Sequence, residues 1–185
     1  MKSLTACFAW ASLVLSYVAA QDANITLVPA ATGFEGDNTA FVYGNPVQVV
    51  ANDGGAADGG FRSFALSKSA PFKQTVHQKS GRSKIAIPVH DVGGRDVVLN
   101  LAAPDSLIRV FDAGSGEKVE SNDRKQIGDW STACVWRSDK SGESYVFLFG
   151  KKMVVQLLVR GKENIEILEV CFDSFVRDQG TNSHN

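Results

Sequence analysis

Short apolar runs alternate with clusters of Gly, Asn, Asp and Ser along most of the chain, and no segment sustains a helical period. Runs of this length, rich in β-branched and aromatic residues, predict antiparallel strands. "PVQVVAN" (46–52) and "FRSFALS" (61–67) flank a glycine-rich turn, "DGGAADGG". "RDVVLNLA" (95–102) and "SLIRVFD" (106–112) flank Ala103-Pro104-Asp105, a predicted hairpin turn.

The clearest group follows. "TACVWR" (132–137), "SYVFLF" (144–149), "MVVQLLV" (153–159) and "IEILEVCF" (165–172) are joined by "SDKSGE", "GKK" and "RGKEN". Connections this short force successive strands into an antiparallel meander. Four such strands make one propeller blade or part of a sandwich. Runs as apolar as "VFLF" and "VVQLLV" predict a sheet covered on both faces.

The ends read differently. Residues 1–20, "MKSLTACFAWASLVLSYVAA", place a lysine before an apolar stretch and end on Val18-Ala19-Ala20, the pattern of a cleaved signal peptide. The alternative, a membrane anchor, needs about 20 apolar residues, and this stretch is shorter. The expectation is a secreted protein with no membrane attachment after cleavage. Asn24-Ile25-Thr26 fits the N-glycosylation pattern and makes Asn24 a candidate acceptor. Residues 21–44 read as an N-terminal segment, and "DSFVRDQGTNSHN" (173–185) as a polar tail.

Cys7 leaves with the signal, so the secreted chain keeps Cys134 and Cys171. Two cysteines in an oxidising compartment point to a disulfide. The strand layout points the other way. The first and fourth strands of a meander lie three spacings apart, about 14 Å, whereas a disulfide needs Cα atoms within about 7 Å. A flat blade leaves them unpaired; a sandwich allows the bond.

Composition narrows the function classes. With a formal net charge of -1 and 44% hydrophobic residues, the chain reads as globular and lacks the general positive field of a nucleic-acid binder. A local basic site is still compatible with that balance. No Walker loop, nucleophile elbow, zinc spacing or complete calcium loop is present. His77, His90 and His184 are scattered and suggest no metal site, since ligands must converge. The basic candidates are Lys151, followed by Arg95, Arg137 and Lys152. Phosphate recognition requires several cations on one point, because a single exposed lysine gains little in water. Trp130 and Trp136 would form a sugar-stacking platform if exposed, although tryptophans near strands more often enter the core.

From "GGRDVVLNLAAPDSLIRVFD" through "CVWRSDKSGESYVFLFGKKMVVQLLV" the chain resembles the β-propeller phytases, in their fungal secreted form, over residues 45–172. "VQVVANDGGAADGGFRSFAL" is similar to an early strand pair of that family. "VWRSDKSGESYVFLFGKKMVVQ" is similar to its Leu-Tyr-x-Ser-x-x-Thr-Gly-Lys-Tyr-Tyr block, Gly-Lys turn and following strand. The resemblance implies a six-bladed propeller that removes phosphate from phytate, with calcium ions neutralising phosphates and activating water.

The family's functional positions carry over unevenly. Its phosphate-contacting lysine falls on Gly54, its turn arginine on Ala103, and a substrate tyrosine on Trp130 or Ser131. Its calcium stretch corresponds to "SKIAI" (83–87), which has no carboxylate, whereas Lys151 matches the turn lysine that contacts phosphate. A blade takes roughly 40–45 residues, so the chain after the signal fits three to four of six blades. The expectation is therefore all-β: a partial propeller of four-stranded antiparallel meanders. It would bind phytate or another phosphorylated small molecule, with little or no activity alone. Its open strand edges would pair with another propeller chain. The alternative is a secreted, non-catalytic β module that binds carbohydrate or a protein.

Overall fold

The computed structural model describes residues 36, 38–43, 46–55, 58–66, 68 and 72–170. The chain divides into units 1–30 and 31–185, and every described residue belongs to the second. The signal segment, Asn24, Cys171, His184 and the tail lie outside the described residues.

Among the described residues, twelve strands form three four-stranded sheets, each a meander whose strands follow one another in chain order. The first contains β1 (Thr39–Val42), β2 (Gln48–Asp53), β3 (Gly60–Ala65) and β4 (Lys73–Lys79). The second contains β5 (Ser83–Val92), β6 (Arg95–Ala102), β7 (Leu107–Asp112) and β8 (Arg124–Lys125). The third contains β9 (Trp130–Arg137), β10 (Ser144–Gly150), β11 (Val154–Arg160) and β12 (Glu166–Val170). All pairings within the sheets are antiparallel. The predicted runs match β2, β3, β6, β7 and β9–β12, while β1, β4, β5 and β8 were not foreseen. β1 falls in the stretch read as an N-terminal segment. β4 is mostly polar and β8 has two residues, so neither carries an apolar signal.

The middle sheet is the core of the molecule. Side chains alternate across a strand, and here both sets are buried. Ile85, Ile87, Val89, Val97, Leu99, Leu101, Ile108 and Val110 pack against Val146, Leu148, Leu157 and Val159 of the third sheet. Ala86, Val98 and Phe111 face the other way, toward Val42, Val50, Phe61 and Val76 of the first. Phe61 and Phe111 meet with ring centroids 5.6 Å apart. The three sheets therefore stack, with β5 touching both β1 and β9.

Polar seams hold the stack in register. Asn52, only 1% exposed, donates its side-chain amide to the carbonyls of Ser83 and Lys84, both at 3.2 Å. Its own Oδ1 accepts from the Asn38 backbone N–H at 2.8 Å. On the other side, Asn122 receives the Ile167 N–H at 3.0 Å and donates to the Ile167 carbonyl at 3.2 Å. This side chain thus behaves as one more residue of strand beside β12.

Two sequence expectations change. The runs in β10 and β11 predicted a third sheet covered on both faces, but only its inner face is fully buried. On its outer face Val154 and Trp136 are exposed, and Cys134 is exposed and free. Two-sided cover belongs instead to the middle sheet, whose β6 is buried from Val97 to Ala102. The second change concerns the tryptophans. Trp130 is 5% exposed, with its indole N–H donated to the Gln126 carbonyl at 3.1 Å, whereas Trp136 is 54% exposed and stacks on Tyr145 at 5.4 Å. The pair forms no shared platform.

The cysteine argument from strand spacing agrees with the sheet order. β9, which carries Cys134, and β12 are the two edges of the third sheet. Truncating a residue at the interface of the middle and third sheets should be costly. Leu157→Ala is expected to lower unfolding free energy by about 3 kcal/mol, through lost burial and a residual cavity. Urea denaturation followed by intrinsic fluorescence measures it, and a loss below about 1 kcal/mol would contradict this packing.

Candidate functional site

At one end of the stack β2 ends, β5 begins, β6 ends and β9 begins. A cavity of about 720 Å³ opens there. The first sheet contributes Asn52 and Gly54 to its wall, the middle sheet Arg82, Ser83, Lys84 and Ala103, and the third Asp129, Trp130 and Ser131. The volume lies within the range of small-molecule sites.

Glycines allow the walls to approach. A Cβ on Gly59 would lie 2.8 Å from the Arg82 Cα and 2.3 Å from the Gly55 carbonyl oxygen. Only glycine lets the β2–β3 hairpin fold this close to the start of β5. A Cβ on Gly150 would lie 2.8 Å from the Asp129 carbonyl oxygen. That closeness brings the β10–β11 turn, closed by the Gly150 N–H to the Met153 carbonyl at 2.9 Å, against the start of β9.

The turn sets Lys151 beside Asp129, with Nζ 3.0 Å from the carboxylate. The hydrogen bond and charge of Lys151, with a further contribution from the charge of Lys84, hold the Asp129 carboxyl below its ordinary value of 3.8. Both partners are well exposed, so the pair contributes little to stability.

Arg82 and Lys84 are the cations the sequence reading missed. They flank Ser83, whose buried hydroxyl turns away to donate to Asn100 Oδ1. Two residues apart, their Cα atoms are at most about 7 Å from one another. Neither enters a salt bridge among the described residues. The backbone around them is fixed: the Arg82 carbonyl accepts from the Ala103 N–H at 2.7 Å, and Asn52 pins Lys84. Arg-Ser-Lys at a strand entry, two cations two residues apart, was the available signal.

The other basic candidates lie elsewhere. Arg95 opens β6, at the opposite end of the middle sheet from the cavity. Arg137 closes β9 and pairs with Asp91 at 2.7 Å. Lys152 is exposed in the turn next to Lys151. His77 donates its Nε2–H to the Asp58 carbonyl at 3.0 Å, and His90 packs on Tyr43 with centroids 5.6 Å apart. Among the described residues, no three His, Cys, Asp or Glu side chains are placed to hold a metal ion.

The calcium implied by the family resemblance fits this wall poorly. Calcium takes six to eight oxygen ligands, several of them carboxylates. The only carboxylate among the described wall residues is Asp129, and Lys151 already engages it. One further cation, Lys84, stands within the stretch that corresponds to the calcium site, and Arg82 lies just before it.

The Lys151–Asp129 contact is expected to persist above the ordinary carboxylate range and to be lost as pH falls through the lowered value. In a carboxyl-detected NMR titration, Lys151→Gln should move the Asp129 midpoint up toward 3.8. A midpoint that does not move would show that Lys151 is not its partner.

No family model matches the chain. No curated protein matches it, and neither does any solved structure.

Proposed function

We propose that this chain is a secreted, phytase-like module that binds phosphorylated small molecules, phytate among them, in the cavity at the sheet junction. On its own it releases phosphate weakly or not at all. One observation carries the reading. The positions to which the resemblance assigns substrate contacts are spread over about a hundred residues of sequence, yet they converge. Gly54, Ala103, Trp130 and Ser131 all line one cavity, and Lys151 is bonded to its Asp129.

The same positions account for weak catalysis. Gly54 and Ala103 offer no cation, and neither Trp130, already bonded to Gln126, nor Ser131 offers a phenol. Lys151 is the single side chain retained, and it is tied to a carboxylate. With no cation at those positions, they do not stabilise charge developing on a transferring phosphoryl group. The reading is tested by incubating purified protein with phytate and calcium. Phosphate release at background level is expected together with measurable phytate binding. Robust turnover would overturn the inactive assignment, and absence of binding would overturn the module itself.

The three stacked meanders are read as three blades of a six-bladed propeller. Support comes from their even spacing, at 39–79, 83–125 and 130–170, and from the adjacency of β1, β5 and β9. Among the described residues, no sheet covers the outer face of the third sheet, with Trp136, Tyr145 and Val154, as sheets cover each side of the middle one. A second copy of the chain, adding three blades to these three, is the partner that completes a ring by symmetry. Sedimentation should show a concentration-dependent dimer that Trp136→Asp shifts to monomer. A strictly monomeric wild type would refute closure by a second copy.

A further inference from the structure

The cavity wall has the wrong chemistry for a divalent cation and the right chemistry for an anion. Resting on the reading that this cavity takes a phosphorylated ligand, we infer that Arg82 and Lys84 bind the anion directly and that no calcium ion bridges it to the protein.

Three observations support the assignment. First, the two cations share one short segment with a fixed backbone, so little ordering cost falls on the main chain when an anion arrives. Second, both residues line the cavity and neither side chain enters a salt bridge among the described residues. Their charge is therefore available to a ligand. Third, the negative charge in the wall is partly cancelled. Asp129 is matched by Lys151 at 3.0 Å, and Asp53 beside Gly54 is turned to Arg62 at 2.8 Å. Among the described wall residues, Arg82 and Lys84 leave a net positive balance of about two charges on one short segment, and phosphate recognition needs several cations. Arg82 supplies the planar fork that fits two phosphate oxygens, and Lys84 a point charge.

Calcium held against this segment would meet both cations, and like charges repel. The segment thus does for itself what a metal ion does in the family it resembles: it supplies the positive charge that neutralises phosphate. It does so without a metal-bound water, so it is suited to holding a phosphorylated ligand rather than hydrolysing it. Lys151 contributes only when Asp129 releases it.

Isothermal titration of the full chain with pyrophosphate, in chelator-treated buffer, tests the inference. Saturable binding is expected, and added calcium should not strengthen it beyond what sequestering the probe removes. Arg82→Gln and Lys84→Gln should each weaken binding about tenfold, equivalent to about 1.4 kcal/mol. Lys162→Gln, in the β11–β12 turn, should leave it unchanged, and Asp129→Asn should strengthen it by freeing Lys151. Circular dichroism confirms that each variant folds. Binding that appears only with calcium, or that both glutamine variants retain, overturns the inference. Inositol hexakisphosphate separates it from the reading on which it rests. If pyrophosphate binds through Arg82 and Lys84 while inositol hexakisphosphate does not bind, the anion site stands and the phytate reading falls. If inositol hexakisphosphate binds regardless of either substitution, the module reading stands and this inference falls.

Discussion

The structure depends on a middle sheet that must be covered twice. β5, β6 and β7 carry apolar side chains on both faces, and a sheet of that composition is stable only between two neighbours. The first and third sheets meet this requirement. At roughly 25 cal/mol per Å² of apolar area, burial on two faces gives one sheet the largest share of the driving force. Directional bonds then choose the register. Asn52 holds the first sheet to the start of β5, and Asn122 holds the loop after β7 to β12. The Asn52 amide is buried, and left without its partners it would cost more than the bonds themselves gain, so that seam excludes alternative alignments.

The cavity is a by-product of that stacking. Sheets packed face to face at their apolar centres leave their strand ends apart, and polar loops line the resulting gap. Gly59 and Gly150 decide how far the gap closes, because each lets backbone from one segment rest on backbone from another. A side chain at either position would push the glycine-rich hairpin from Arg82 or the lysine turn from Asp129. The charges of the site are therefore placed by two positions that carry no chemistry of their own.

Legibility differed between elements for definite reasons. β6 and β7 were read almost to the residue, since long apolar runs bounded by a proline-containing turn leave little freedom. β5 was missed although it is the longest strand and buried nearly throughout. "SKIAIPVHDV" contains a proline, which argues against a central strand. Pro88 is tolerated because β5 pairs only with β6 within its sheet, leaving its other edge without a ladder to break. At the site, Lys151 was found because its turn carries a recognisable block. Arg82 and Lys84 were not, because a basic pair at a strand entry resembles any solvated edge.

Alternation along the chain determined the all-β class, the meander order of the last four strands and the separation of Cys134 from the far edge of its sheet. Those properties follow from local periodicity and short connections, which act over a few residues. The face of each sheet that is covered, the burial of Trp130 against the exposure of Trp136, and the meeting of Gly54, Arg82, Ala103 and Asp129 around one cavity were decided by tertiary structure. Such pairings join residues far apart in the chain. They depend on which apolar faces find each other, and periodicity within one strand says which side is apolar but not what will cover it.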